Sequence, residues 1–284
     1  MSFEKLAELI EKKNNPTVMG LDPKLDYVPV FIREGKTVGD ALFEFNKGLI
    51  DCVSDIIPAV KPQSAFYEMY GIEGMKALDR TISYAKEAGL YVITDVKRGD
   101  IGSTAEAYAE AFFGPASAGT DCVTVNPYLG SDGVMPFVLA AEKYDKAIFV
   151  LVKTSNPSSA ELQDIDCGGV PLYIKTAELV KKWGECESGK KRVGAVVGAT
   201  HPRQLKELRE ALPDVFFLVP GYGAQGGTAE DVRFAFCPDG NGAVVNSSRG
   251  LMCAYKKQSD DANYQKYTRQ AALEMRDALN SVRK

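Results

Sequence analysis

The feature that most constrains the fold is an alternation, repeated eight times, of a short apolar run with a longer amphipathic stretch. The runs are rich in Val and Ile, which favour extended backbone, whereas the stretches between them carry apolar residues at the spacing of one helix face. The apolar runs lie at 17–21, 56–61, 90–97, 121–126, 147–153, 193–198, 215–220 and 243–247. Helical spacing occupies 40–55, 73–88, 103–113, 131–144, 170–186, 202–211 and 228–236.

Strands that alternate with helices build right-handed βαβ units and a parallel sheet. Eight such units with nearly continuous apolar strands predict a closed (β/α)8 barrel, the TIM barrel of the α/β class. A doubly wound open sheet is the alternative, but the count of eight and the lack of a GxGxxG motif after the first strand argue against it. We therefore expect one barrel domain over 1–284, with an N-terminal helix and a C-terminal helix near 260–282.

Composition argues against several classes of function. The formal net charge is −4 and no basic run is interleaved with aromatic residues, so we expect no nucleic-acid partner. No apolar stretch reaches the roughly 18 residues of a membrane span, and the charged N-terminus lacks the apolar centre of a secretory signal. We expect a cytoplasmic protein with reduced thiols and no metal site built from thiolate and imidazole ligands, because the cysteines lack zinc-like spacing and His201 is the single histidine. The cysteines are Cys52, Cys122, Cys167, Cys186, Cys237 and Cys253.

Charged residues follow the second and third apolar runs, where a barrel of this kind has its active site. Asp95 and Lys97 are two residues apart on a strand and therefore face the same side, and Asp100 follows beyond the strand end. Lys61 ends the second run. Charges at a buried strand end lose hydration, so a cluster of alternating sign indicates function. Opposite charges keep a lysine protonated, which favours a proton donor over a Schiff-base lysine.

The loops after the seventh and eighth runs have the composition of a phosphate site. Pro220-Gly-Tyr-Gly-Ala-Gln-Gly-Gly-Thr is rich in glycine, which allows backbone N–H groups to approach an anion and the loop to close as a lid. Arg249 adds a permanently charged, forked donor. The segment after the fifth run, 153–160, is typical of a turn. Further polar residues at strand ends are Asp22, Asn126, Ser155, Thr200 and Gln225.

The motif Asp95-x-Lys97-x-x-Asp100-Ile101, followed by Thr104, resembles the signature of the orotidine 5′-phosphate decarboxylase family. Other matching strand ends follow in the family's order over about 17–251: Leu21-Asp22, Val60-Lys61, Thr154-Ser155-Asn156-Pro157, Pro220-Gly-x-Gly-x-Gln225 and Ser248-Arg249-Gly250. The pieces VKPQ, DIGST and GAT are similar to the longer bacterial-type branch. Gly102 stands where the short bacterial and archaeal forms more often have proline, and longer inserts near 23–38 and 156–169 are further departures.

The resemblance implies cofactor-free conversion of orotidine 5′-monophosphate to UMP and CO2 in de novo pyrimidine biosynthesis. It implies that Lys97 protonates C6 of the pyrimidine, that Asp95 lies beside the departing carboxylate and that Asp100 completes the charged array. It further implies a homodimer in which Asp100, Ile101 and Thr104 complete the partner's site. The remaining substrate contacts are implied for Asp22 and Lys61 at the ribose, Ser155 and Gln225 at the base, Gln225 and Arg249 at the phosphate, and Pro220 beside them.

Three alternatives remain open at this point. A metal-assisted keto-gulonate phosphate decarboxylase also carries Asp-x-Lys, although Mg²⁺ needs additional carboxylates where Lys61 stands. A Schiff-base aldolase would use Lys97 or Lys153. A non-catalytic nucleotide-binding protein would bind UMP without turnover.

Overall fold

The eight apolar runs form the eight parallel strands of a closed barrel, in chain order from β1 to β8 and closed by pairing of β8 with β1. The computed structural model describes residues 2–185, 191–258 and 260–283, so Cys186 and the end of the predicted helix 170–186 lie outside the described residues. The predicted (β/α)8 fold class is confirmed. The strands are β1 Thr17–Leu21, β2 Ala59–Pro62, β3 Tyr91–Arg98, β4 Cys122–Val125, β5 Ala147–Lys153, β6 Val193–Val197, β7 Phe217–Val219 and β8 Ala243–Ser247.

Helices connect consecutive strands and surround the barrel. One predicted helix, 228–236, is wrong as a single element, because it ends after one turn and continues as a 3-10 turn, Arg233–Ala235. Its first turn is fixed by Thr228 and Asp231, whose side chains each bond the other's backbone N–H. The α-helices of the described residues are α1 Ser2–Lys13, α2 Val30–Arg33, α3 Val38–Val53, α4 Ala65–Glu68, α5 Gly71–Glu87, α6 Gly102–Phe113, α7 Ser131–Lys143, α8 Ala160–Gln163, α9 Leu172–Trp183, α10 Pro202–Ala211, α11 Ala229–Val232, α12 Arg249–Met252 and α13 Tyr264–Val282.

Helix α1 closes the N-terminal end of the barrel. Its apolar face, Phe3, Leu6 and Ile10, belongs to the core inside the barrel, and the Phe3 ring stacks on Phe216 with centroids 5.2 Å apart. The larger core lies between the strands and the outer helices. With one end plugged by aromatic and aliphatic side chains, the opening that remains is at the carboxyl ends of the strands.

The top layer of inward-facing side chains divides into a polar and an apolar half. Every second residue of a strand faces the inside of the barrel. The last inward-facing residue of each strand therefore lies at the opening formed by the carboxyl ends of the strands. On β2 to β4 these positions carry polar side chains, and on β5 to β7 they carry apolar ones. The polar half is Lys61, Asp95 and Thr124, the apolar half is Leu151, Val196 and Leu218, and Asn246 of β8 lies between them.

No helix in the described part of the chain combines the length and the apolar character that crossing a membrane requires.

Candidate active site

A cavity of about 780 Å³ opens at the carboxyl ends of the strands. Four cationic and two acidic side chains line it, together with the apolar half of the top layer. The cavity therefore suits a ligand with negative charge and a flat apolar face. The predicted site residues in its lining are Asp22, Lys61, Asp95, Lys97, Ser155, Pro220, Gln225 and Arg249.

Asp95 is the centre of the charged residues in this cavity. One carboxylate oxygen accepts from Lys61 Nζ at 2.8 Å, and the other accepts from Lys97 Nζ at 2.7 Å and from the Thr124 hydroxyl at 2.8 Å. The Asp95 and Lys61 side chains are 9% and 5% exposed, whereas that of Lys97 is 46% exposed. Asp95 thus holds two cations in place, and of these two Lys97 is the more exposed to the open cavity.

Electrostatic interactions keep both Asp95 and Lys61 charged. Burial by itself would raise the pKa of Asp95, but Lys61 and Lys97 outweigh burial and hold the pKa of this carboxyl well below its usual range. Burial would likewise lower the pKa of Lys61, yet Asp95 and Asp22 raise that pKa above its ordinary value. The centre is therefore an anion held between two ammonium groups by contacts within the protein.

The backbone at Lys97 is strained. Its φ is 44°, in the left-handed region that non-glycine residues rarely adopt, and the pairing of β3 with β4 shifts register between Thr94 and Arg98. The Thr124 hydroxyl accepts from the N–H groups of both Val96 and Lys97, at 3.0 and 2.9 Å, and so fixes this bulge. Such strain persists at functional sites where the surroundings impose it.

Two buried oxygens in the cavity lack a donor within the described residues, Oδ1 of Asp22 and Oδ1 of Asn246. Asp22 follows β1 and Asn246 faces inward from β8, the neighbouring strand. A buried acceptor without a partner is costly. A ligand hydroxyl or N–H that reaches it therefore forms a hydrogen bond without breaking one within the protein.

The opposite rim is formed by the loops after β7 and β8. Gly221, Gly223 and Gly226 all have positive φ, between 73° and 98°, and this conformation bends the loop back over the cavity. Arg249 is exposed, begins α12 and has no carboxylate partner among the described residues. A glycine-rich loop and a guanidinium without an acidic partner among the described residues, both on one rim, are suited to bind a phosphate.

Comparisons with known proteins agree with this geometry. The model of the "Orotidine 5′-phosphate decarboxylase / HUMPS family" matches residues 40–263. The curated orotidine 5′-phosphate decarboxylase of Rhodopirellula baltica is 45% identical over 293 aligned residues, which cover 96% of this chain and 97% of the relative. That of Clostridium acetobutylicum is 41% identical, with 99% of this chain and 100% of the relative covered.

Solved structures of similar proteins point to the same family. The OMP decarboxylase of Leishmania donovani superposes with a TM-score of 0.81 at 35% identity, covering 100% of this chain and 99% of that chain. The UMP synthase of the same organism superposes with a TM-score of 0.83 at 37% identity. The alignment covers 99% of this chain and 56% of that longer chain.

The chain belongs to the orotidine 5′-phosphate decarboxylase family.

Three residues of the family motif lie outside the cavity of their own chain. The expectation that four charges converge on one rim is wrong for Asp100, which is half-buried and accepts a hydrogen bond from the N–H of Ile101 at 2.8 Å. Ile101 is 55% exposed and faces a second groove, and Thr104 lies on the exposed side of α6. The bend of the chain after Arg98 carries these residues away from β3, which is why spacing along the sequence misplaced Asp100.

Other strand-end residues have structural roles. The Thr200 hydroxyl donates to the carbonyl of Ser155 at 3.0 Å, and Asn126 Oδ1 accepts from the N–H of Tyr128. Lys153 is fully buried and paired with Asp164 at 2.6 Å, so it does not present a free amine to the decarboxylase cavity. His201 precedes α10 as its N-cap residue.

The cavity residues of this family member that were missed from the sequence include Lys24, Thr124 and Asn246. Thr124 and Asn246 are at inward positions of their strands, so strict two-residue alternation from Cys122 and Val244 would have found them. Lys24 lies in the insert after β1, between the rings of Tyr27 and Phe66 at 5.8 and 5.9 Å, and no sequence signal pointed to it.

Proposed function

We propose that this chain decarboxylates orotidine 5′-monophosphate to UMP and CO2 without a cofactor, with Lys97 as the proton donor to C6. The bond between C6 and the carboxylate breaks, its electron pair stays on C6 and CO2 leaves. Lys97 Nζ then transfers a proton to C6, and the resulting amine takes a proton back from solvent. Family membership and relatives of the same name along nearly the whole chain support the activity.

The observation that carries the mechanism is the pairing of Asp95 with two lysines at once. A carbanion on an sp² carbon has no neighbouring group to delocalise it, so the barrier falls only if a positive charge already stands beside it. Because Asp95 and Thr124 fix this region before substrate binds, Lys97 needs little reorganisation when charge develops on C6. The Asp95 carboxylate next to the substrate carboxylate also opposes the bound ground state.

The rest of the cavity supports a nucleotide as the ligand. We assign the ribose hydroxyls to Asp22, whose Oδ1 lacks a donor among the described residues, and to Lys61. We assign the base to Ser155 and Gln225, and the 5′-phosphate to Gln225, Arg249 and the glycine loop that begins at Pro220. Binding energy from the phosphate, remote from C6, then offsets the unfavourable contact between carboxylates.

We further propose a homodimer in which Asp100, Ile101 and Thr104 complete the partner's site. In support, these residues lie outside their own cavity, and an apolar groove of about 760 Å³ between α6 and α7 adjoins them. Leu139 and Ile101, which line this groove, are 59% and 55% exposed. We also propose that the enzyme works in the cytoplasm, where cysteines stay reduced, since the five described cysteines are free thiols.

The activity is tested by following the loss of orotidylate absorbance with purified protein in the presence of EDTA. We expect turnover at the same rate with and without the chelator. Activity lost in EDTA and restored by Mg²⁺ would instead support the metal-assisted sugar-phosphate reaction. Binding of UMP without any turnover of orotidylate would identify a nucleotide-binding protein.

The dimer is tested by mixing two inactive variants, Lys97→Ala and Asp100→Asn, after brief unfolding and refolding together. A mixed dimer then has one site with an intact Lys97 from one subunit and an intact Asp100 from the other. Random pairing predicts recovery of about a quarter of wild-type activity. No recovery, with dimers present by light scattering, would show that Asp100 serves its own chain.

A further inference from the structure

The insertion at 156–169, which follows β5, folds back onto the end of its own strand. It consists of a 3-10 turn, Pro157–Ser159, the short helix α8 and a tight turn that ends at α9. The turn is closed by its own backbone, because Asp166 pairs with Pro171 and the N–H of Cys167 donates to Val170 O at 2.8 Å. The insertion is therefore an ordered element and not a loose surface loop.

Gln163, the last residue of α8, holds Thr154 by both ends of its amide. Its Oε1 accepts from the backbone N–H of Thr154 at 2.9 Å, and its Nε2 donates to the Thr154 hydroxyl at 2.7 Å. That hydroxyl in turn donates to Asn156 Oδ1 at 2.6 Å. Two hydrogen bonds from one planar amide fix both the position and the side-chain rotation of Thr154. Gln163 also lines the active-site cavity.

Asp164, the next residue, holds Lys153. Its carboxylate lies 2.6 Å from Lys153 Nζ, and this ammonium also lies 5.7 Å from the Tyr173 ring centroid. Lys153 is fully buried, whereas Asp164 is one-third exposed. A buried ammonium is costly without a partner, so this pair ties the insertion to the end of β5.

Ser155 follows these two held residues directly. Its carbonyl accepts from the Thr200 hydroxyl at 3.0 Å, and its backbone packs so closely on Gly198 that a Cβ there would lie 2.7 Å from Ser155 Cα. Within the described chain, no hydrogen bond occupies the Ser155 hydroxyl, which lines the cavity. The backbone on the N-terminal side of Ser155 is thus set by the insertion.

We propose that Gln163 and Asp164 are positioning residues that hold Lys153 and Thr154 so that the Ser155 hydroxyl meets the pyrimidine ring. The insertion then governs recognition of the base and leaves phosphate binding and proton transfer untouched. This inference rests on the proposed assignment of Ser155 to the base. Gln163 acts through Ser155, because its amide oxygen and one amide N–H both bond Thr154, the residue directly before Ser155.

The test compares the affinity of the dimeric enzyme for two ligands, UMP and ribose 5-phosphate, which lacks the base. Gln163→Ala should weaken UMP binding by about fivefold to tenfold, the effect of one or two lost hydrogen bonds, and leave ribose 5-phosphate binding unchanged. The KM for orotidylate should rise by a similar factor at nearly constant kcat. Gln163→Glu, which keeps an acceptor for the Thr154 N–H, should restore much of the loss. Gln265→Ala is the matched control, because the Gln265 amide likewise bonds the backbone, donating to Gly48 O at 2.9 Å, but lies on α13.

A double variant separates positioning from direct contact. If Gln163 acts through Ser155, Gln163→Ala should cost no further UMP affinity in a Ser155→Ala background. Additive losses, equal losses for both ligands, or unchanged UMP affinity in Gln163→Ala would each overturn the inference. If Ser155→Ala itself leaves UMP affinity unchanged, the assignment of Ser155 to the base is wrong and the inference falls with it. Decarboxylation by the wild-type enzyme is measured separately and is not affected by that outcome.

Discussion

The two rims of the cavity differ in how far their charged groups are paired by contacts within the protein. At the ends of β2 to β4, Asp95 already bonds two lysines and a threonine, and of these four residues all but Lys97 are buried. At the ends of β7 and β8, the glycine loop is exposed and Arg249 has no acidic partner among the described residues. The first rim is completed by contacts within the protein, whereas the second presents a guanidinium that no carboxylate of the described residues neutralises.

This difference matches the two tasks of the proposed reaction. Stabilising a carbanion needs charges that do not move as the bond breaks, because reorganisation would add to the barrier. Binding a phosphate needs N–H donors and positive charge that are not already used within the protein. We call the rim around Asp95 the paired rim and the rim around Arg249 the open rim. Substitutions at the paired rim should therefore change kcat or stability, and substitutions at the open rim should change affinity.

The largest effect is expected at Lys97. Lys97→Ala removes the proton donor and the charge beside C6, so kcat should fall by at least about 10³-fold to 10⁴-fold while UMP affinity stays within a few-fold. Stopped-flow or long-term absorbance assays would measure the residual rate. Lys76→Ala, which removes a surface lysine paired with Glu73 on α5, is the control. Near-normal turnover in Lys97→Ala would refute the donor role.

Asp95→Asn should affect stability most strongly. Removing the carboxylate leaves Lys61, 5% exposed, without its partner, and breaking a buried ion pair costs about 3–5 kcal/mol in free energy of unfolding. Denaturant titration of the wild type and the variant measures the difference. A loss below about 1 kcal/mol, as for a surface pair, would mean that water reaches Lys61 and that the centre is not preformed.

The open rim is probed by Arg249→Ala. It should weaken binding of orotidylate and UMP by roughly 100-fold, since a charge-assisted contact with phosphate is lost, and it should leave the phosphate-free nucleoside unaffected. Arg203→Ala, at an exposed arginine paired with Glu207 on α10, is the matched control. Equal losses for nucleotide and nucleoside would remove Arg249 from the phosphate site.

The pH dependence of stability should also report on the paired rim. Because the folded pKa of Asp95 is lowered, its contribution is fully present above its unfolded pKa, about 3.9, and is lost as pH falls toward the folded pKa. The stability difference between wild type and Asp95→Asn should therefore be constant near neutral pH and shrink in acid. A difference that grows in acid would contradict the lowered pKa.

The smallest effect is expected at Lys24, the cavity cation in the insert after β1. Lys24→Ala should lower kcat/KM by about twofold to fivefold, and the loss should shrink at high salt because the ammonium is only partly shielded. Lys24→Arg should retain the rate. A loss that does not depend on salt would indicate lost packing against Tyr27 and Phe66 and no steering of the substrate.

Much of the paired rim was predictable from local pattern. Strand alternation placed Asp95 and Lys97 on one face, and they do meet, at 2.7 Å. Alternation did not predict that Thr124, one strand away, bonds both the Asp95 carboxylate and the backbone at Lys97, because cross-strand register depends on the bulge in β3. Alternation also did not predict the bend of the chain after Arg98, which leaves Asp100 outside the cavity lining.

The insert at 156–169 was the least predictable part of the site. Its sequence is that of a turn, and neither Gln163 nor Asp164 belongs to a recognised pattern. Their partners, Thr154 and Lys153, lie nine and eleven residues earlier in the chain, and the fold-back that joins them is set by the length of the insertion and by α9 behind it. Such contacts depend on the path of the chain and not on the period of a strand or a helix.

The sequence by itself determined the number, order and type of the elements, the apolar faces that bury them and the charged residues at the strand ends, because these depend on local period and composition. Only the tertiary structure decided which charges pair, which buried oxygens await a ligand and which motif residues leave their own chain's cavity. Closing the barrel brings residues from distant parts of the chain within 3 Å, and no local pattern encodes distances of that kind.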